Sequence, residues 1–407
     1  MHTIVVSFDM RIPNNLGERK NMHARRIKLL VGAAALMAAG VASAQTPLTY
    51  SVGGANLTLY GDVDLYSMYM KSSSGSKQFA IQDGGYLRTR LGLRGDKDVG
   101  NGYTMKFTLE QGLNDTSGAQ ADTTRLFDRQ AWAGVATPIG EFRVGRQNSV
   151  IFYKGSYIDN TTRTLGSVIN AFGVPSRYDS DVSYASPRMA GFQAELHYSF
   201  QGATTNHATN QAVYQWGLDY EHAPFKVGYG EITGKPPAGS PVPDDVYYRH
   251  TYFNWDYGQG KVYLAFVQSN NNSTTGTGSS LLFNGGSPLG NTGALVTGTD
   301  IGAKTHYDIP QVSADYQITK QLRLGALYGK IRDKSGSGKN ASGWNVAAYY
   351  DIWRDTMIYA LVNQLDNDPN AGFRPSGSAG LTKPFTAPGD VNGQKISMLA
   401  VGFVYKF

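Results

Sequence analysis

The sequence predicts an all-β fold, a 16-stranded antiparallel transmembrane β-barrel with short periplasmic turns and long extracellular loops. Three observations carry that prediction. Segments of about ten residues with period-two alternation recur from Asn56 to the end of the chain. Their connections alternate strictly between short and long. A secretory leader precedes them, and the last segment is a well-patterned apolar strand where a frayed polar tail is the common case.

The leader is "MHARRIKLLVGAAALMAAGVASAQ". Arg25, Arg26 and Lys28 form its basic region, Leu29 to Gly40 its apolar stretch, and Ala42-Ser43-Ala44 a small-x-small cleavage site. Residues 22–44 therefore read as a signal peptide. Residues 1–21 read as a non-native extension upstream of a start at Met22, and 45–407 as the barrel. The basic character of the chain sits largely in the leader. Six Lys/Arg and two Asp/Glu precede residue 45, which leaves 31 basic against 29 acidic side chains. A nucleic-acid partner loses its support. With Cys at 0, disulfides, thiol chemistry and cysteine metal sites are excluded.

The first element, "NLTLYGDVDLYSMYM" (56–70), puts Leu57, Leu59, Val63 and Leu65 on one face and Tyr60, Asp62 and Asp64 on the other. Strands are then expected at 85–96, 101–112, 125–137, 140–147, 177–187, 191–201 and 211–222. The remainder fall at 224–233, 246–257, 260–270, 308–319, 320–331, 342–351, 354–364 and 393–407. "GFQAELHYSF" is typical, with Phe192, Leu196 and Phe200 opposite Gln193, Glu195 and His197. In "KVYLAFVQSN" the outward set is Val262, Leu264 and Phe266; in "QLRLGALYGK" it is Leu322, Leu324, Ala326 and Tyr328. The short connections, such as "TPIG", "SPRMAG", "EHAP" and "DYGQG", carry turn chemistry. Long polar loops fill 112–125, 147–177, 233–246, 270–308 and 365–393. So many long loops are foreign to a soluble domain and expected of an outer-membrane barrel. Lipid leaves no strand edge unpaired, so the last strand must close on the first. Leu399, Val401, Phe403, Tyr405 and Phe407 are then expected to face lipid, with Phe403, Tyr405 and Phe407 anchoring the terminal strand.

"LTLYGDVDLY", "RTRLGLRGDKDVGNGYTMKFTLEQG", "LFDRQAWAG", "GEFRVGRQ", "SRYDSDVSYASP" and the terminal "VGFVYKF" follow one another in this order. Together they resemble the Gram-negative general porins of the trimeric β-proteobacterial type, over essentially the whole mature chain. The resemblance implies a homotrimer in the outer membrane, in contact with its lipid and lipopolysaccharide. It also implies a third loop, here 147–177, folded into the lumen as a constriction. Such a protein is a general diffusion channel for ions and small hydrophilic solutes, and needs no cofactor or metal.

A channel of this kind works through pore radius and the charges at its neck. Arg88, Arg90 and Arg94 alternate with leucines; Lys106, Arg125, Arg129, Arg143 and Arg177 follow on later strands. The expected constriction residues are Arg88, Arg90, Lys106, Arg129, Arg143, Asp159 and Arg177. Of these, the resemblance matches Arg90, Arg129 and Arg177 to a basic cluster facing the loop. The competing reading pairs the arginines with wall acids such as Glu110, Asp128, Asp179 and Asp181. Between Arg146 and Ser176 the only acid is Asp159, against Lys154 and Arg163, so weak to moderate anion preference is expected. A substrate-specific channel for a small anionic solute, with "FGVP" and loop tyrosines as its site, is the alternative. An outer-membrane barrel enzyme is more remote, because no GxSxG or HExxH occurs.

Overall fold

The structure, a computed structural model, describes residues 48–200, 212–234, 245–270, 306–336, 338–381 and 383–407. The segments expected to be a signal peptide and an upstream extension lie outside the described residues, as do most of the 233–246 and 270–308 loops.

Among the described residues nineteen strands form one antiparallel sheet. In chain order the first are β1 (Leu48–Val52), β2 (Ala55–Ser72), β3 (Lys77–Asp83), β4 (Arg90–Gly100), β5 (Tyr103–Asn114) and β6 (Ala119–Gln120). Then come β7 (Gln130–Thr137), β8 (Gly140–Asn148), β9 (Arg177–Ala185), β10 (Phe192–Ser199), β11 (Val213–His222) and β12 (Phe225–Gly234). The rest are β13 (Val246–Asp256), β14 (Lys261–Ser269), β15 (Tyr307–Gln317), β16 (Leu322–Asp333), β17 (Ala341–Trp353), β18 (Thr356–Asn367) and β19 (Lys395–Lys406). Short hairpin partners account for three of these: β1 and β3 on β2, and β6 on β5. The other sixteen close a barrel, β19 pairing with β2 over Ile396–Lys406 and Asp62–Ser72. Phe407 completes the closure by exchanging two backbone hydrogen bonds of 3.0 Å with Gly61. A Cβ at Gly61 would lie 2.4 Å from the Phe407 ring, so only glycine lets that ring lie across the seam.

Outward side chains are the expected ones. Leu264, Phe266, Leu324, Tyr328, Leu399, Val401 and Phe403 are all exposed, as are Phe192 and Leu196. Phe225, Trp255, Tyr316 and Trp353 stand near the short-turn rim, where an aromatic girdle belongs. No helix of the described residues is long and apolar enough to cross a membrane.

Three expectations need correction. Residues 85–89 leave the ladder: the buried Asp64 carboxylate accepts from the backbone N–H groups of Tyr86 (2.7 Å), Leu87 (2.5 Å) and Gly85 (3.3 Å). That pulls the segment inward, so β4 starts at Arg90 and Arg88 is not on a strand. Residues 125–129 are likewise loop, and β7 starts at Gln130. The third correction concerns the interior, which is polar only in part. Val213, Ile232, Val267, Ile309 and Ile331 point inward and are fully buried. They pack against Val150, Ile151, Ile158, Val168, Ile169 and Phe172 of the third long loop in one apolar cluster.

Candidate functional site

The third loop lies against the inner wall and is almost wholly buried. Its floor is apolar; it holds a 3-10 helix, Phe152–Tyr157, and an α-helical turn, Val168–Phe172, capped by Ser167. Gln311 of β15 clasps it: the Oε1 atom accepts from the Val168 and Ile169 N–H groups at 2.9 and 3.2 Å. The Nε2 atom of the same side chain donates to Asp159 at 2.7 Å. The other Asp159 oxygen accepts from the N–H groups of Thr161 and Arg163, both at 2.9 Å, and from the Thr161 hydroxyl. Asp159 therefore knits the loop to itself and to the wall. Its side chain is 1% exposed and does not face the channel, contrary to the expectation.

Opposite the apolar floor, β2, β4, β5 and the ends of β7 to β9 bring charges together. Glu110 is the hub. Its carboxylate takes Arg129 Nε at 2.6 Å, the Tyr60 hydroxyl at 2.9 Å, and lies 3.8 Å from an Arg90 Nη. Arg90 also pairs with Asp62 at 2.7 Å. Arg146 and Arg125 share Asp179 at 2.6 and 2.9 Å. Arg88 and Arg177 lie within electrostatic reach of Arg129, which they repel, and of Asp128, which they attract, so these side chains form one cluster. Among the described residues neither Arg88 nor Arg177 has a carboxylate in contact. Arg177 stacks on Phe152 of the third loop at 4.6 Å, and Arg163 of that loop stands 4.7 Å from the same ring. Such contacts favour a cation without removing its charge.

A second group lies along β5, β8 and β10. Lys106 and Arg143 both pair with Glu141, Lys106 at 2.6 Å. Arg143 also lies 4.4 Å over Trp132 and donates to the Tyr153 hydroxyl at 2.7 Å. Lys154 of the third loop bonds Asp219 at 2.9 Å. His197 sits between Asp181 and Glu195 at 2.7 and 2.9 Å.

The geometry thus brings Arg88, Arg90, Arg129 and Arg177 together, with Lys106 and Arg143 as a separate pair. Much of the wall follows the ion-paired reading as well. Sequence reasoning missed Gln311 and Phe152, which hold the loop. The signal was available only for Gln311, which with Ser313 and Asp315 puts polar side chains on the inward face of β15.

The profile of the family described as Gram-negative porin matches residues 32–370. An outer membrane porin protein of Bordetella pertussis is 33% identical over 181 residues, covering 41% of this chain and 47% of that one. Outer membrane porin protein 32 of Delftia acidovorans is 26% identical over 232 residues, covering 53% and 62%. The chain spans about half the length of the first of these relatives. Among solved structures, an anion-selective porin from Comamonas acidovorans superposes with TM-score 0.68 at 20% identity, covering 87% of this chain and 100% of that one. The family match over most of its length, joined to a closed barrel with an inward loop, makes this chain a member of the Gram-negative porin family, whose place is the outer membrane.

Proposed function

We propose that the chain is a general diffusion porin: a passive, water-filled channel for ions and small hydrophilic solutes, with weak to moderate anion preference. The observation that carries the preference is the arginine cluster around Glu110, in which the part-exposed Arg90 is backed by the buried Arg88 and Arg177, which have no contacting carboxylate among the described residues and only Asp83, Glu110 and Asp128 within electrostatic reach. Guanidinium groups stay charged at any working pH. Low-dielectric walls focus their field across the neck. The Debye length at physiological salt is ~8 Å, so ions in a narrow neck feel the field but cations are not excluded. The anion selectivity named for the Comamonas structure supports this reading. We place the chain in a homotrimer, supported by a trimer form of the Vibrio cholerae relative OmpT. No catalytic role is assigned to any residue.

Conductance and reversal potential in a planar bilayer under a KCl gradient test the proposal. The expected result is a large ohmic conductance with an anion-signed reversal potential. Replacing Arg90→Gln and Arg177→Gln together should lower the anion/cation permeability ratio. A cation-signed potential in the unaltered protein would overturn the charge assignment, and absence of conductance would overturn the channel.

A further inference from the structure

The last long loop, between β18 and β19, behaves unlike a surface loop. Ala371, Phe373 and Val391 are 0% exposed, and Arg374 and Ser376 are buried. Phe373 packs against Phe172 of the third loop and, edge-on, against Tyr307 of β15, both with ring centres 6.3 Å apart. Asn170, also in the third loop, donates to the carbonyls of Ser376 and Gly377 at 2.7 and 3.2 Å. The end of β3 and the β3–β4 connection join the same knot. Ala379 N–H donates to the Gly84 carbonyl at 3.2 Å, and Leu165 N–H to the Gly85 carbonyl at 3.2 Å. Gln82 donates to the Lys383 carbonyl at 3.3 Å. At Gly84 the backbone has φ +68° and a Cβ would fall 2.5 Å from that of Ala379, so the two loops touch backbone to backbone. Arg374 draws its own loop together through the Phe385 carbonyl at 2.9 Å.

We propose that this last loop is a second constriction element: with the third loop it sets the size limit of the pore and confines the path to the basic side. The segment Phe373–Ala379 sits on the inward loop, tied to it by two side-chain hydrogen bonds and a cluster of rings. A segment held there occupies cross-section that ions would otherwise use. The inference rests on the channel reading, and its test separates the two.

The experiment compares single-channel conductance and the size cut-off for neutral polyethylene glycols in three proteins. They are the unaltered chain, a chain lacking Pro375–Gly380, and Asn170→Ala, which keeps every residue of the loop but removes its two side-chain hydrogen bonds from the third loop. Folding is checked by heat-modifiable migration. The deletion should raise conductance by roughly half or more, because conductance follows the width of the narrowest section, and should admit larger polymers. Asn170→Ala should add open-channel noise and shift the cut-off in the same direction. Unchanged conductance and cut-off in both variants would overturn the proposal, and Asn170→Ala alone decides it if the deletion does not fold. Silence of the unaltered protein would instead overturn the channel reading.

Discussion

Two inner faces of one barrel meet opposite fates. Along β4 to β10 the inward residues are Arg90, Lys106, Glu110, Glu141 and His197; along β11 to β17 they include Val213, Ile232, Val267, Ile309 and Ile331. The outward residues of both halves are alike, since lipid asks the same of each. What differs is the filling. An inward polar row has only water or counter-charges to satisfy it, whereas an inward apolar row must be covered by protein. The third loop supplies that cover, so the sequence of the wall dictates where the loop lies, and the loop in turn dictates where water runs.

The comparison can be broken hardest from the dry side. Ile169→Asp puts an unpaired carboxylate into the apolar cluster, where the uncompensated charge costs several kcal/mol. The loop should leave the wall; single-channel recordings should show a larger, noisy conductance, and protease should cut the folded protein within 147–177. On the basic side, Glu110→Gln removes the shared partner of Arg129 and Arg90. Breaking such a buried pair costs about 3–5 kcal/mol, so thermal unfolding in detergent should come earlier, while the reversal potential moves further toward anions. Gln311→Ala strands two helix amides and one Asp159 oxygen, about 1–3 kcal/mol for unmet buried groups. It should lower the voltage at which the channel closes without changing ion preference. Lys106→Met has the smallest expected effect, because Arg143 keeps Glu141 paired: a slight loss of anion preference and no measurable change in stability.

Most of the wall was legible because lipid-facing alternation survives whatever lies inside. The closing register of β19 on β2 follows from the same need to pair every strand. The departures have local causes that a single strand does not display. Gly85–Thr89 carries a strand pattern, yet Asp64, distant in sequence, captures its amides. "KVYLAFV" did carry a signal of its own: Val262, Leu264 and Phe266 face out while Ala265 and Val267 are buried, so the strand is apolar on both faces and its inner face is covered by protein. Asp159 looked like a channel charge because its bond to Gln311 depends on a fold that brings together residues more than a hundred positions apart. The arginines were visible as a set, but their division into paired and unpaired members depends on which carboxylates the closed barrel places beside them.

The absence of cysteine from the chain allows the division of the interior to be measured directly. Single replacements Arg90→Cys and Val267→Cys, one on each side, would be treated in the folded, membrane-inserted protein with a water-soluble methanethiosulfonate while current is recorded. The account predicts rapid modification and a conductance change at position 90, and no reaction at position 267 beneath the third loop. Equal rates at the two positions would contradict it.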